Sequence, residues 1–247
     1  MILDEILAHK RQEIASCREI RPFVEALRQP GIRVIAEFKR RSPSGGDIRP
    51  GASPSEIAAM YAEAGAAALS VLTDDKYFGG SDQDLREARA ACSLPVLRKD
   101  FVVDAFQLYE ARGMGADAVL LIVRALSDVQ LRDMLQLTDR LGMDALVETH
   151  SEDEVRRALN SGARLIGVNN RDLDTLTTDV TLAPRLRSLV PPECVFVAES
   201  GISTPEQISR LVDAGVDAVL IGESLLRSTD PGARLRELLA AGRSVRA

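Results

Sequence analysis

Five stretches of the chain repeat one layout of polar and apolar positions: AGAAALSVL (64–72), MGADAVLLIV (114–123), LGMDALVE (141–148), SGARLIGVN (161–169) and AGVDAVLIG (214–222). In each, an amphipathic segment stops at a glycine, a small or polar residue or two follows, and a short apolar run begins. The glycine suits the left-handed position after a helix. The run, partly β-branched and apolar on both faces, suits a strand of a parallel sheet. VIAEF (34–38), PVLR (95–98) and VFVAE (195–199) supply three more strands of the same kind.

The segments between these runs have helical period and helical start signals. SPSEIAAMYAEAG (53–65) begins with an N-cap serine, then proline and glutamate in its first turn. AFQLYEARGMG (105–115), SDVQLRDMLQLTDRLG (127–142), SEDEVRRALNSG (151–162) and STPEQISRLVDAG (203–215) repeat that logic. Eight strands alternating with helices, with no compositional break, predict one α/β domain over 1–247, a (β/α)8 TIM barrel of ordinary size. A doubly wound open sheet is the alternative, but no G-x-G-x-x-G follows the first strand. Residues 1–30 precede that strand, and ILDEILAHKRQEI reads as an extra N-terminal amphipathic helix capping one end of the barrel.

Composition narrows the classes. Hydrophobic residues make up 45% of the chain, enough for a sizeable core. A net charge of −6 argues against a general nucleic-acid binder but leaves room for an anionic small substrate held by local cations. Cys17, Cys92 and Cys194 are far apart and lack metal-ligand spacing, so a reduced, cytoplasmic protein without a bound metal is expected. The N-terminus does not read as a secretory signal, and the longest apolar run, AVLLIV (118–123), is too short to span a bilayer.

Active sites of such barrels lie at the C-terminal strand ends. Strand one ends in Glu37 and Lys39, strand three in Lys99, strand five in Glu148, strand six in Asn169 with Arg171 beyond, strand seven in Glu199 and Ser200, strand eight in Gly222. Side chains alternate along a strand. Ile35, Glu37 and Lys39 therefore share one face, as do Leu97 with Lys99, Leu146 with Glu148, and Val197 with Glu199. Any one of these is ordinarily a solvated strand terminus; together they predict a common mouth. By the same parity Arg98 and Asp100 point away from it.

Three stretches suit phosphate: SPSGG (42–46), ESGI (199–202) with Gly201, and IGESLLRS (221–228), where Gly222 leads into a short helix. The loops after strands seven and eight are the recurrent phosphate site of this architecture. Phe78 and Phe101 lie just past strand ends and could meet an aromatic substrate, although packing is their commoner use. His9 and His150 read as surface residues, and Asp74 and Asp75 as loop solvation.

These residues, in this order, resemble the indole-3-glycerol phosphate synthase family. The matching stretches are VIAEFKRRSPS (34–44), LSVLTDDKYFGGS (69–81), PVLRKDFVVDAFQLYEARGMGADAVLLI (95–122), LVETH (146–150), IGVNNRDL (166–173), VAESGI (197–202) and LIGESLLR (220–227). The resemblance covers nearly the whole chain. No second barrel follows, which matches the monofunctional form. It implies ring closure of 1-(o-carboxyphenylamino)-1-deoxyribulose 5-phosphate to indole-3-glycerol phosphate in tryptophan biosynthesis, releasing CO2 and water and needing no cofactor. Carried over, Lys99 is the general acid and Glu148 the catalytic glutamate. Lys39 lies near the anthranilate carboxylate, with Glu37 beside it. Asn169, Arg171, Glu199 and Ser200 shape the polar site; Ser42, Gly201, Gly222, Glu223 and Ser224 bind phosphate; Phe78, Phe101 and Leu120 form the ring pocket. Gly45 departs from the pattern, because many members carry Lys or Arg there. Phe38 and Thr149 replace commoner aliphatics.

The implied partner is a small phosphorylated aromatic-sugar substrate, with no nucleic acid and no membrane, and the protein is expected to be a monomer. For Lys99 to donate a proton efficiently its pKa is expected to fall toward neutrality. The rival readings are a Schiff-base aldolase, phosphoribosylanthranilate isomerase and a non-catalytic phosphate-binding barrel.

Overall fold

A computed structural model describes residues 19–243 together with Ile2, Leu3, Glu5 and Ile6. Among these, eight parallel strands close into a barrel. They are β1 (Arg33–Phe38), β2 (Ala68–Leu72), β3 (Val96–Lys99), β4 (Ala118–Ile122), β5 (Asp144–Thr149), β6 (Leu165–Asn169), β7 (Val195–Glu199) and β8 (Ala218–Ile221). Each strand pairs with its sequence neighbours, and β1 closes the ring by pairing Arg33–Ala36 with Ala218–Ile221 of β8. The expected fold is the one observed. The glycine of each of the five repeats has a positive φ, between 76° and 95°, so the left-handed stop before a strand is real.

The helices named from periodicity form: α1 (Pro54–Ala64), α3 (Phe106–Met114), α4 (Asp128–Arg140), α5 (Glu152–Asn160) and α7 (Pro205–Asp213). Ser127 with Gln130, and Thr204 with Gln207, make reciprocal capping boxes that fix where α4 and α7 begin. The sequence reading did not single out α2 (Asp82–Ala91), capped by Ser81, or α8 (Pro231–Arg243). Between β6 and β7 the outer layer is reduced to α6 (Leu182–Leu186), in a connection carrying Pro184, Pro191 and Pro192.

Strand parity divides the core in two. Ile35, Leu97, Leu120, Leu146, Val197 and Leu220 fill the inside of the barrel. Val34, Val119, Leu121, Val147, Ile166 and Phe196 face outward against the helices. A short helix, Phe23–Leu27, closes the N-terminal end by burying Phe23 and Leu27 against the inner layer. Each such burial stabilises the fold by about 1.5–3 kcal/mol. The extra helix expected over ILDEILAHKRQEI, including His9, lies mostly outside the described residues. No described helix is long and apolar enough to cross a membrane.

Candidate active site

With the N-terminal end plugged, the inward residues at the opposite end line a cavity of about 720 Å³. Every residue the sequence nominated is there: Glu37, Lys39, Ser42, Phe78, Lys99, Phe101, Leu120, Glu148, Asn169, Arg171, Glu199, Ser200, Gly201, Gly222, Glu223 and Ser224. Tyr77, Ile122, Leu173, Leu176 and Arg227 also line it and were not foreseen. Leu173 and Leu176 come from the connection after β6, where apolar residues among polar ones gave only a weak signal.

At the floor, Lys99 Nζ donates to Glu148 Oε2 at 2.9 Å and lies 3.5 Å from Glu199 Oε2. Lys39 Nζ donates to Glu37 Oε1 at 2.5 Å. Glu37, Glu148 and Glu199 are all buried, an arrangement tolerated only with partners at hand. Two glycines make the room. A Cβ on Gly167 would fall 2.2 Å from Glu199 Oε1, and one on Gly222 would fall 2.5 Å from Glu37 Oε1. Gly222 was read from sequence as a phosphate position; it is also the notch that admits Glu37. Gly167 was missed, although an inward glycine near a strand end is itself a sign of close approach.

The environments of Glu148 and Glu199 pull apart. Burial pushes Glu148 up, but the Lys99 and His150 charges, with hydrogen bonds from Lys99 and Asn169, outweigh it and hold the carboxylate ionised. Glu199 is pushed up to about 8, by burial first and then by Glu148 and Glu37, with Lys99 opposing. It therefore keeps a proton near neutrality. Lys99 corrects an expectation. Burial lowers its pKa, but Glu148, Glu199 and Glu37 raise it more, so the net direction is up and the ammonium is held charged. The expected fall rested on nearby cations or partial burial; burial does pull down, but the strand ends supply carboxylates that outweigh it.

His150 is the second correction. It is buried: its backbone N–H donates to Glu154 Oε2 at 2.7 Å, and its ring Nδ1 lies 3.3 Å from the same oxygen. Arg98 behaves as parity predicts, turning outward to Thr73, Asp100 and the Gln107 carbonyl.

The rim is built from loops. Ser42 Oγ accepts from the Gly45 N–H at 3.0 Å, and Ser224 Oγ donates to the Ile202 carbonyl at 3.0 Å, tying the loops after β7 and β8 together. Arg227 Nε donates to Glu223 Oε1 at 2.8 Å, which offsets an acid at the expected phosphate position. Ser200 and Gly201 both have positive φ, 66° and 76°. A Cβ on Gly201 would meet the Thr178 side chain at 2.5 Å in a left-handed backbone conformation, so glycine is favoured there. Arg171 donates to Ser44 Oγ, joining the loops after β6 and β1. Phe78 and Phe101 lie with ring centroids 6.2 Å apart, tilted by 36°, and line the cavity together with Leu120.

A parallel (β/α)8 barrel whose strand ends converge a charged lysine on carboxylates of opposed proton affinity belongs to the barrel enzymes. Residues 3–238 match the family of indole-3-glycerol phosphate synthases. The indole-3-glycerol phosphate synthase of Dehalococcoides mccartyi (strain 195) is 51% identical over 235 residues, covering 93% of this chain and 91% of that protein. That of Carboxydothermus hydrogenoformans is 45% identical over 264 residues, covering 97% and 100%. A thiamine phosphate pyrophosphorylase from Pyrococcus furiosus shares the fold at TM-score 0.66 and 15% identity, over 87% of this chain and 98% of its own. The chain belongs to the indole-3-glycerol phosphate synthase family, carboxy-lyases of tryptophan biosynthesis.

Proposed function

We propose that this chain closes the indole ring of 1-(o-carboxyphenylamino)-1-deoxyribulose 5-phosphate, with Lys99 as general acid and Glu148 as the ionised catalytic carboxylate. The observation that carries the assignment is the Lys99–Glu148 contact, 2.9 Å long, on the floor of a cavity with aromatic walls and a polar rim. The substrate phosphate sits among Ser42, Gly201, Gly222, Glu223 and Ser224. Its aryl ring lies against Phe78, Phe101 and Leu120, with its carboxylate toward Lys39. Asn169, Arg171, Glu199 and Ser200 frame the sugar-derived chain.

The chemistry then follows from the charges. The aryl carbon bearing the carboxylate attacks the ketone carbon, and the Lys99 ammonium gives a proton to the ketone oxygen. The ring becomes dearomatised and iminium-like, and a cation of that kind is stabilised beside ionised Glu148. Loss of CO2 returns the electron pair to the ring. The new hydroxyl leaves as water with a second proton from an ammonium, while a proton on the neighbouring carbon passes to a carboxylate. All the acids and bases are side chains of this chain. Mixing the purified protein with the substrate and following indole fluorescence tests the reading. Folded protein that gives no fluorescence rise would overturn it.

A further inference from the structure

Glu148 is already hydrogen-bonded by Lys99 and Asn169, and His150 faces the oxygen that Lys99 does not take. Oε2 takes the Lys99 ammonium. Oε1 lies 3.4 Å from Nε2 of His150, whose side chain is 2% exposed. This Nε2 is buried without a hydrogen-bond partner, and Glu148 is the acceptor it faces. On the other edge of the ring, Nδ1 lies 3.3 Å from Glu154 Oε2. Glu154 takes Arg124 Nε on its own second oxygen at 3.4 Å, and Arg124 Nη1 reaches Asp174 Oδ2 at 3.2 Å. Asp174 lines the cavity in the connection after β6.

We propose that His150 is a positioning residue for Glu148: its ring, clamped from behind by Glu154 and Arg124, fixes the orientation of the catalytic carboxylate. The proposal rests on the assignment of Glu148 to catalysis. A carboxylate gripped at one oxygen keeps freedom about its broad terminal torsion. A donor at the second oxygen removes it. The ring lies between two carboxylates, in a row that runs Lys99, Glu148, His150, Glu154, Arg124. The groups facing the ring are Glu148 from β5 and Glu154 from α5. Lys99 of β3 and Asn169 of β6 bear on Glu148, and Arg124, after β4, bears on Glu154. Capping of α5 accounts for the backbone bond from His150 to Glu154, but not for a ring aimed at the active carboxylate.

The test is steady-state turnover of the carboxyphenylamino-deoxyribulose phosphate across pH. His150→Phe keeps the ring volume and removes both ring nitrogens. It should lower kcat roughly ten- to a hundred-fold while KM stays within about two-fold. The acid limb of its kcat profile should move to higher pH, because Glu148 loses a partner that favours its anion. His150→Gln, which restores one donor, should recover most of the loss. Arg124→Gln, distant and part-exposed, should move the same limb by less, and decides the matter if His150→Phe does not fold. An unchanged kcat in folded His150→Phe, or a loss with the acid limb unmoved, overturns the proposal. So does an unmoved limb in Arg124→Gln. Normal turnover by Glu148→Gln would instead remove the assignment on which the proposal rests. An inactive Glu148→Gln beside a normal His150→Phe would remove the positioning role alone.

Discussion

The two ends of this barrel bury charge in opposite ways. At the N-terminal end Asp117 is fully buried and fully partnered: it takes Arg89, the Arg21 N–H at 2.7 Å and the Val96 N–H at 2.8 Å. Asp144 takes the Val24 N–H at 3.0 Å, pinning the short helix that plugs the barrel. At the C-terminal end Glu37, Glu148 and Glu199 share two lysines, and Glu199 Oε1, Ser70 Oγ and His150 Nε2 are buried without hydrogen bonds. Asp117 is satisfied and serves the fold. The carboxylates at the other end have proton affinities pushed apart, as a catalytic end must.

The comparison breaks first at Lys99. Lys99→Ala should lower kcat by about 10³-fold or more, because proton donation to the ketone has no substitute. Substrate binding, measured by fluorescence quenching, should persist, since phosphate and ring contacts lie elsewhere. The fold should tolerate the change, as Glu199 already holds a proton near neutrality and Glu148 can take one up. Near-normal turnover would take Lys99 out of the acid role. Borohydride trapping of substrate on Lys99 in the unaltered protein would favour an aldolase-like reaction, against which the raised ammonium pKa now argues.

Asp117 is the counterpart at the other end. Asp117→Ala strands the Arg89 guanidinium and two backbone N–H groups. It should cost about 3–5 kcal/mol of stability, read from urea midpoints. Turnover per folded molecule should not change. A variant that loses activity while keeping its midpoint would mean that the two ends are not separable.

How much of this was legible in the sequence follows from the same division. Parallel strands must be apolar on both faces, so their runs and the glycines before them stand out. Parity then carries Glu37, Lys99, Glu148 and Glu199 to one mouth. His150 was misread because a lone histidine after a strand looks solvated. Its backbone and ring both meet Glu154 four residues on, a spacing that was visible but not used. The rise in the Lys99 pKa was out of reach, because it depends on how closely three carboxylates from three strands approach, and the notches at Gly167 and Gly222 set that distance.

Glu199 sharpens the comparison through pH. Its carboxyl binds a proton more tightly folded than unfolded, with the folded pKa at about 8 against an ordinary 4.5. Between these values the folded state holds the extra proton, so this group lowers stability as pH rises through that window. Glu199→Gln should therefore be more stable than the parent at pH 8, and the difference should shrink toward pH 5. Thermal midpoints of both proteins across this range test it. A constant difference would show that Glu199 titrates as an ordinary carboxylate.

The smallest effect is expected at the rim, where charges are part-exposed and screened. The family resemblance implies a cation where Gly45 stands, and Arg227 reaches that place from the helix after β8. Its Nη2 donates to the Gly45 carbonyl at 2.7 Å, and a Cβ at Gly45 would lie 3.0 Å from that nitrogen. Arg227 therefore brings a positive charge to the Gly45 loop from the β8 side. Arg227→Ala should raise KM about five-fold with kcat unchanged, a loss of roughly 1 kcal/mol in uniform binding. Adding Gly45→Lys to that variant should recover the loss, because its near contacts, Glu223 Oε1 and Ser42 Oγ, are side-chain ends able to move. If Arg227→Ala leaves KM unaltered, the guanidinium braces the loop and does not meet the phosphate.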